Sequence, residues 1–395
     1  MKKQRIKELI KVSKDVIADG SLENGAIVAA NSDKAIYPAT TQDYRYVWVR
    51  DAAYVCMAAD LLGLKDIPER FFDWCLNRAK GFKETGLFCN AYHVNGTIHG
   101  TLIPPDRPRV PRSLRDRCID LIHCGTQFQP DQSGSLLLAI AHHIEHYNSD
   151  VCKFAELTEK TASGICRSWK GNAFVLPCYD LWEERCVLPE QRGWHTYSLA
   201  MCIAGLRAAI KLLGKKRSWL QAEKEMSNAF AEVCSRSTGS IPRTYRAGKR
   251  AKHGAARKED MQPDASLLGL VYPSGMLDPL DEKVKRTVHE IIEANTIDDG
   301  GLLRYPGDVY CGGVRNGWVT LTGAGAWPLL SFWMAIYYCL SGDKANAKKH
   351  FDWPLERVEK YIPEQIFKDK SKAAICPLLW SHAMFVIAAR FLGHI

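Results

Sequence analysis

Apolar residues recur at three- and four-residue spacing along almost all of this chain, and that periodicity constrains its fold more than any other feature. The pattern predicts about twelve helices, at roughly 4–18, 50–63, 67–80, 132–147, 153–170, 194–213, 216–236, 262–271, 281–295, 317–341, 343–361 and 377–393. Strand signals are few. Residues 86–101 alternate and carry an Asn-Gly pair at 95–96, which predicts a small β-hairpin inside one long loop. Every second helix is preceded by a polar and aromatic cluster, at 44–51, 129–134, 179–184, 262–266, 304–318 and 363–365. The helices between them lack such clusters. This arrangement argues for an all-α ring of six helix hairpins, with an open stack of helix pairs as the competing form. Inner helices would bring their N-terminal ends to one mouth, where unpaired and partly positive N–H groups favour polar ligands and carboxylates.

Composition narrows the class further. Of 395 residues, 46% are hydrophobic and 25% charged, which excludes a disordered tail, a collagen-like fibre and a small disulfide scaffold. We read 1–395 as one domain. Lys plus Arg is 53 against 44 for Asp plus Glu, so the net charge of +9 permits anionic partners without demanding them. The first twenty residues are interrupted by Lys7, Glu8, Lys11, Lys14 and Asp15 and form an amphipathic helix, not an export signal. No run of about 18 apolar residues occurs, so no membrane span and a cytoplasmic setting are expected. The 14 cysteines include no C-x-x-C pair, and many (Cys56, Cys75, Cys202, Cys234, Cys339) sit in helical apolar patterns. They read as reduced core thiols, with Cys118 and Cys124 placed in a loop.

Two loops stand out. Residues 81–131 contain Pro104, Pro105, Pro108 and Pro111 amid arginines, and loops of this length are commonly functional. Residues 243–260 form a dense basic run, read as a solvated flap. A nucleic-acid contact through 243–258 is the sharper alternative, but no aromatic or base-reading motif accompanies it, and no nucleic-acid partner is expected.

The segment CYDLWEER (178–185) puts Asp180, Glu183 and Glu184 beside Tyr179 and Trp182. Clustered carboxylates repel one another and an apolar Trp wall opposes ionisation, so at least one of them is expected to have a raised pKa. That property suits a general acid. The segment YIPEQIFKDK (361–370) puts Glu364 just before the last inner helix. If the ring closes, Glu183 and Glu364 reach the same mouth, and two carboxylates across a cleft are the minimum apparatus for glycosidic hydrolysis. Tyr44, Trp48, Trp182, Trp318 and Trp380 lie in the same junctions and offer flat faces to sugar rings. Arg50, Asp51 and Arg304 offer charged hydrogen-bonding partners for hydroxyls.

Four pieces taken together resemble the catalytic domain of glycoside hydrolase family 15, the glucoamylase and glucodextranase family. They are YRYVWVRDAAY (44–54), YDLWEE (179–184), RYPGDVYCGG followed by Trp318, and PEQ followed by PLLWSHA (363–383). The resemblance implies an (α/α)6 barrel and exo-hydrolysis with inversion, releasing β-glucose from an α-linked non-reducing end. It implies Glu183 as general acid, Glu364 as general base and Glu184 as a substrate contact near the scissile bond. Arg50 and Asp51 match the pair that grips the terminal sugar, and Arg304 matches a substrate-binding arginine. Tyr44, Trp48, Trp182 and Trp380 match aromatic positions of the pocket. Inversion implies carboxyls roughly 6.5–9.5 Å apart.

The barrel motif begins by Tyr44, so the β-sandwich domain of many prokaryotic members and a C-terminal starch-binding module are not expected. CGTQFQPD (124–131) offers Phe128 near a position where fungal relatives carry Trp. These departures favour short isomalto- or malto-oligosaccharides as the partner, with a trehalase or a catalytically silent sugar-binding protein on the same scaffold as alternatives. His142, His143 and His146 have spacing that could suit zinc, but no third ligand or H-E-x-x-H order accompanies them. The glycines of 311–313 and 322–327 form no phosphate-binding motif. Neither a metal nor a cofactor is expected, because paired carboxylates suffice.

Overall fold

In the computed structural model, residues 2–99, 127–237, 239–246, 259–297, 299–315 and 318–395 are described. The N-terminal part contains helix α1 (Lys2–Gly20), strand β1 (Tyr46–Val47), α2 (Val49–Leu61), α3 (Asp66–Asn77), the short α4 (Phe82–Thr85), β2 (Ala91–His93) and β3 (Ile98–His99). The middle contains α5 (Asp131–Tyr147), α6 (Ala155–Ser168), β4 (Cys178–Tyr179), β5 (Cys186–Val187), β6 (Gly193–His195), α7 (Thr196–Leu213) and α8 (Arg217–Arg236). Then come β7 (Thr244–Arg246), β8 (Glu259–Asp260), a 3-10 helix (Ala265–Leu270) and α9 (Glu282–Asn295). Strands β9 (Val314–Arg315) and β10 (Trp318–Val319) precede α10 (Pro328–Leu340), α11 (Lys344–Leu355) and α12 (Leu379–Phe391).

The inner elements form a cycle. Helix α2 packs on α5, α5 on α7, α7 on the 3-10 helix, that helix on α10, α10 on α12, and α12 back on α2. Outer partners lie beside them: α3 on α2, α6 on α5, α8 on α7, α9 on the 3-10 helix, α11 on α10 and α1 on α12. This is the (α/α)6 barrel, and the open stack is excluded by the α2–α12 contact. The inner helices carry apolar residues on nearly every face and the outer ones on a single stripe, as a ring buried on both sides requires. Helix α7 is long and apolar enough to cross a membrane by composition, yet it is an inner member of this ring and mostly buried. Close approach is built in where α5 meets α7. A Cβ on Gly134 would stand 2.2 Å from the Met201 carbonyl oxygen, and one on Gly205 would stand 2.8 Å from the Gly134 Cα.

Three expected helices differ from the structure. The 262–271 element is a 3-10 helix starting at Ala265, with the Asp264 side chain accepting from Ser266 N. A Cβ on its Gly269 would lie 2.4 Å from the Tyr197 ring, so this tight segment is wedged against a large aromatic. The 317–341 element is helical only from Pro328. Its first part is the β9–β10 hairpin and a glycine-containing loop, because Gly323 sits at φ +97° and Ala326 pairs with Ile366. The 343–361 element ends at Leu355, just past Pro354. The 95–96 hairpin forms as β2–β3, with β1 added at its edge.

The cysteines are only partly core. Cys56, Cys75, Cys89, Cys178, Cys202 and Cys311 are buried, whereas Cys152 is exposed and Cys166, Cys186, Cys234, Cys339 and Cys376 are intermediate. Cys118, Cys124, Pro104–Pro111 and most of the basic run, 247–258, lie outside the described residues.

Candidate active site

The junctions before the inner helices converge on one polar site. Glu183 ends a turn closed by its own N–H donating to the Asp180 carbonyl at 3.1 Å, and it holds φ +65°. A left-handed conformation at a non-glycine residue costs free energy, so the surroundings must enforce it. They do so at both ends of the residue. The Trp48 indole donates to Glu183 Oε1 at 2.7 Å, the Asn90 amide donates to Oε2 at 3.1 Å, and the Gln127 amide donates to its carbonyl at 3.2 Å. The carboxylate is thereby aimed, with both oxygens engaged.

Glu364 reaches the same place from the far end of the chain. Its N–H donates to the Ile375 carbonyl at 2.8 Å, and Ile366 pairs with Ala326 two residues later. Its side chain is buried, and burial pushes its pKa up to about 8 against the opposing pull of Arg304, the Tyr44 hydroxyl and the Gln365 amide. The backbone of Gly312, at φ +67°, runs so close that a Cβ there would stand 3.0 Å from Glu364 Oε2. A carboxyl that changes protonation near neutrality can give or take a proton in that range.

Tyr44 and Tyr310 link the two carboxyls through contacts: the Trp48 ring that donates to Glu183 is centred 5.4 Å from the Tyr44 ring, and Gly312, two residues after Tyr310, runs beside Glu364. The Tyr44 and Tyr310 hydroxyls hydrogen-bond to each other. Burial first, and then the charges of Glu364 and Glu183, raise both phenols. These contacts bring the two acidic residues to one site although 181 positions separate them in sequence.

A second cluster fixes Arg50 and Asp51 at the start of α2. Arg50 Nη1 donates to Gln129 Oε1 at 2.6 Å and to Asp131 Oδ2 at 3.3 Å, and its Nε donates to Asp51 Oδ1 at 3.1 Å. Gln132 Oε1 accepts from the Val49 N–H at 2.8 Å, which caps this helix from outside. Burial raises Asp51 to about 6 against the pull of Arg50, with Glu183 adding to the rise. Trp380 lies under Arg50, its ring centre 5.4 Å from the guanidinium carbon. Trp380 is thus a buried floor for the arginine more than an open wall.

A third cluster surrounds Arg304. Its Nη2 donates to Glu184 Oε1 and Asp308 Oδ1, each at 2.7 Å, and its Nε donates to Asp308 Oδ2 at 2.7 Å. The Tyr305 hydroxyl donates to the other Glu184 oxygen. Trp182 and Trp327 flank the guanidinium at 5.5 and 5.1 Å. The Trp182 indole donates to Asp264 Oδ1 at 2.8 Å, so the 3-10 helix cap also holds the residue next to Glu183. Trp318 pairs with Arg315 in the β9–β10 hairpin, and its side chain lies outside the description.

Within 178–185 the expected rise does not fall on Asp180. Asp180 is lowered, because His195, Arg185 and two backbone N–H groups outweigh its burial. Burial raises the carboxyls of Glu364, Asp51 and Asp131. His142 and His143 each turn Nδ1 to the buried Asp60, at 2.9 and 2.8 Å. Among the described residues no cluster of three or more His, Cys, Asp or Glu side chains suits a metal.

Sequence reasoning missed Asn90, Gln127, Tyr310, Asp264 and Trp327. Asn90 and Gln127 lie inside the long 81–131 loop, where nothing in the sequence marks them as ligands of a carboxylate. Trp327 closes the 322–327 segment and was hidden behind its glycines. The polar and aromatic clusters were the available signal: 262–266 contains Asp264, 304–318 contains Tyr310, and 129–134 holds Arg50 through Gln129 and Asp131.

A model of the glycosyl hydrolases family 15 matches residues 12–359. An uncharacterized glycosyl hydrolase of Methanocaldococcus jannaschii is 28% identical over 389 residues, 92% of this chain and 52% of its own length. The chain therefore spans about half of that archaeal relative. The isomaltose glucohydrolase of Kribbella flavida is 24% identical over 391 residues, 93% of this chain and 91% of its own. Among solved structures, a wild-type glycosidase superposes with a TM-score of 0.72 at 21% identity, covering 100% of this chain and 98% of that one. A bacterial glucoamylase complexed with acarbose gives 0.70 at 18% identity, covering 98% and 55%.

Proposed function

Since this chain belongs to glycosyl hydrolase family 15, we propose that it is an inverting, exo-acting α-glucoside hydrolase that releases glucose from non-reducing ends of short isomalto- or malto-oligosaccharides. The observation that carries the reading is the chain of contacts from Glu183 through Trp48, Tyr44 and Tyr310 to the Gly312 backbone beside Glu364. It supports two carboxyls facing one sugar-sized space from opposite sides. The Kribbella relative, by its name, acts on isomaltose, which favours the α-1,6 linkage within this range.

In this mechanism the terminal glucosyl unit is held through its hydroxyls by Asp51 and Arg50, whose orientation Gln129 and Asp131 fix. Glu183, aimed by Trp48 and Asn90, protonates the glycosidic oxygen. Glu364, oriented by Tyr44 and Gln365, takes a proton from a water attacking the opposite face of C1. The two carboxyls are expected roughly 6.5–9.5 Å apart, leaving room for that water. Glu184, locked to Arg304 and Tyr305, contacts the leaving portion beside the acid.

The test is proton NMR of the first sugar released from maltose, isomaltose, trehalose, dextran and starch supplied in parallel. β-Glucose from isomaltose or maltose is the expected product. Initial α-glucose would refute inversion, preferential trehalose cleavage would make the chain a trehalase, and binding without turnover would make it a silent sugar-binding protein. One observation favours exchanged roles, because a carboxyl raised to about 8 by burial is also suited to acid duty. Activated fluorides decide between the assignments. Glu183→Ala should retain turnover of α-glucosyl fluoride, which needs no leaving-group protonation, and Glu364→Ala should lose it.

A further inference from the structure

Trp182 and Glu183 are neighbours in the acid-bearing turn, yet different elements hold them. Trp48 and Asn90 grip the Glu183 carboxylate, whereas the Trp182 indole reaches to Asp264 at the start of the 3-10 helix. The turn itself is wound on Asp180. The Asp180 carbonyl accepts from the Glu183 N–H at 3.1 Å, and its Oδ1 accepts from the N–H groups of Glu184 and Arg185 at 2.9 and 3.1 Å. Glu183 holds φ +65° within this turn, so its backbone gains by relaxing wherever an anchor is lost.

The turn is tied to a buried chain of charges. Asp180 Oδ2 pairs with the Arg185 guanidinium. Arg185 Nη1 stands 3.4 Å from Asp264 Oδ2, and Arg243 Nη1 stands 3.6 Å from the same oxygen. The other Asp264 oxygen accepts from the Trp182 indole at 2.8 Å and from the Ser266 N–H at 3.0 Å. Arg243 carries the chain on to Asp260 Oδ2 at 2.9 Å. Arg243 precedes β7 and Asp260 ends β8, so the charges run from the acid turn to the root of the basic 243–260 segment. Asp180, Arg185, Arg243 and Asp264, with His195, line a cavity of about 10 Å³. That is room for no more than one water, so these charges are little screened.

We propose that Asp264 and Arg243 are positioning residues of the general acid. Asp264 holds Trp182 and, through it, the left-handed backbone of Glu183, and Arg243 holds Asp264 from the root of the basic segment. The proposal rests on the reading of Glu183 as the acid. Both residues act through Trp182, so losing either misaims the Glu183 carboxyl, and only the step that needs its proton suffers.

The experiment compares kcat on the preferred disaccharide with kcat on α-glucosyl fluoride for the wild type, Asp264→Ala, Asp264→Asn and Arg243→Met. General acid catalysis contributes about 100- to 10,000-fold, so Asp264→Ala should lower disaccharide kcat at least about 10-fold while fluoride kcat stays within about twofold. Arg243→Met leaves the Trp182 bond in place and should lower disaccharide kcat alone, by at least about threefold. Asp264→Asn keeps an acceptor for Trp182 and should lose less than Asp264→Ala. An equal fall on both substrates, or unchanged disaccharide turnover, in Asp264→Ala or Arg243→Met overturns the proposal, as does a greater loss in Asp264→Asn than in Asp264→Ala. A second readout needs no turnover. The Trp48 indole N–H, assigned with Trp48→Phe, reports the carboxylate it is bonded to. Its nitrogen–proton resonance should move in Asp264→Ala, and an unmoved resonance overturns the positioning. If Asp264→Ala does not fold, Arg243→Met carries both measurements. If the wild type hydrolyses no glucoside, or Glu183→Ala loses fluoride turnover, the acid reading fails separately and the Trp48 resonance alone judges the positioning.

Discussion

Glu364→Gln should make this protein more stable in alkali than the wild type, even as it removes the proposed base. The folded carboxyl, raised by burial from 4.5 to about 8, binds its proton more tightly than the unfolded one. Between these two values the folded state holds more protons than the unfolded state, so wild-type stability falls as pH rises and levels off above about 8. A shift of three to four units, at about 1.4 kcal/mol each, amounts to about 5 kcal/mol as an upper bound. The side chain is only 3% exposed, so little of that is lost to solvent screening. Asp51 is raised to about 6 by the same cause and contributes in the same direction, but it remains in both proteins. Urea unfolding of wild type and variant at pH 4 and pH 9, under reducing conditions, gives four stabilities. The variant's advantage should grow by several kcal/mol from the lower pH to the higher. An advantage that is the same at both would refute the claim that Glu364 ionises in a dry setting.

Three further outcomes follow from the same geometry. Glu183→Gln and Glu364→Gln should each lower kcat on oligosaccharides by at least about 100-fold in steady-state assays, and near-normal turnover in either would remove its assignment. Tyr44→Phe removes a hydrogen bond that lowers the Glu364 pKa, so the acidic limb of the kcat/KM profile should move to higher pH; a limb that stays put or moves down contradicts the base role. Gly134→Val should cost at least about 3 kcal/mol in a denaturant melt, because its side chain would meet the Met201 carbonyl directly, and a loss under 1 kcal/mol would show that α5 and α7 can part easily.

Helix positions were legible because each inner helix buries an apolar surface and each outer helix one stripe, and both leave a strong period in the sequence. Ends were less legible where tertiary contact overrules local preference. At 262–271 the apolar run is real, but Gly269 pressed on Tyr197 holds it as a 3-10 turn. At 317–327 the backbone pairs with neighbours as a hairpin and a bridge, which no helical period reveals. Within the site, Glu183, Glu364, Arg50 and Arg304 announced themselves by motif. The amides of Asn90 and Gln127 did not, because an amide that orients a charge looks in sequence like any polar loop residue. In the acidic run at 178–185, histidine, arginine and two backbone N–H groups outweigh the burial of Asp180, whereas at Glu364 burial outweighs its partners. Counting nearby acids does not reveal the cations and donors that offset burial.

The contact of α12 with α2 that closes the ring has a consequence for how the protein is made. A ribosome releases the sixth inner wall of the barrel only after the other five have emerged, and Leu379 then bonds back to Ala29, ahead of α2. Until that moment the apolar flanks of α2 and α10 are bare, and Glu364 has no chamber to be dry in. Nascent chains should therefore depend on chaperones late in synthesis, and acquire chemistry only in the final step of assembly.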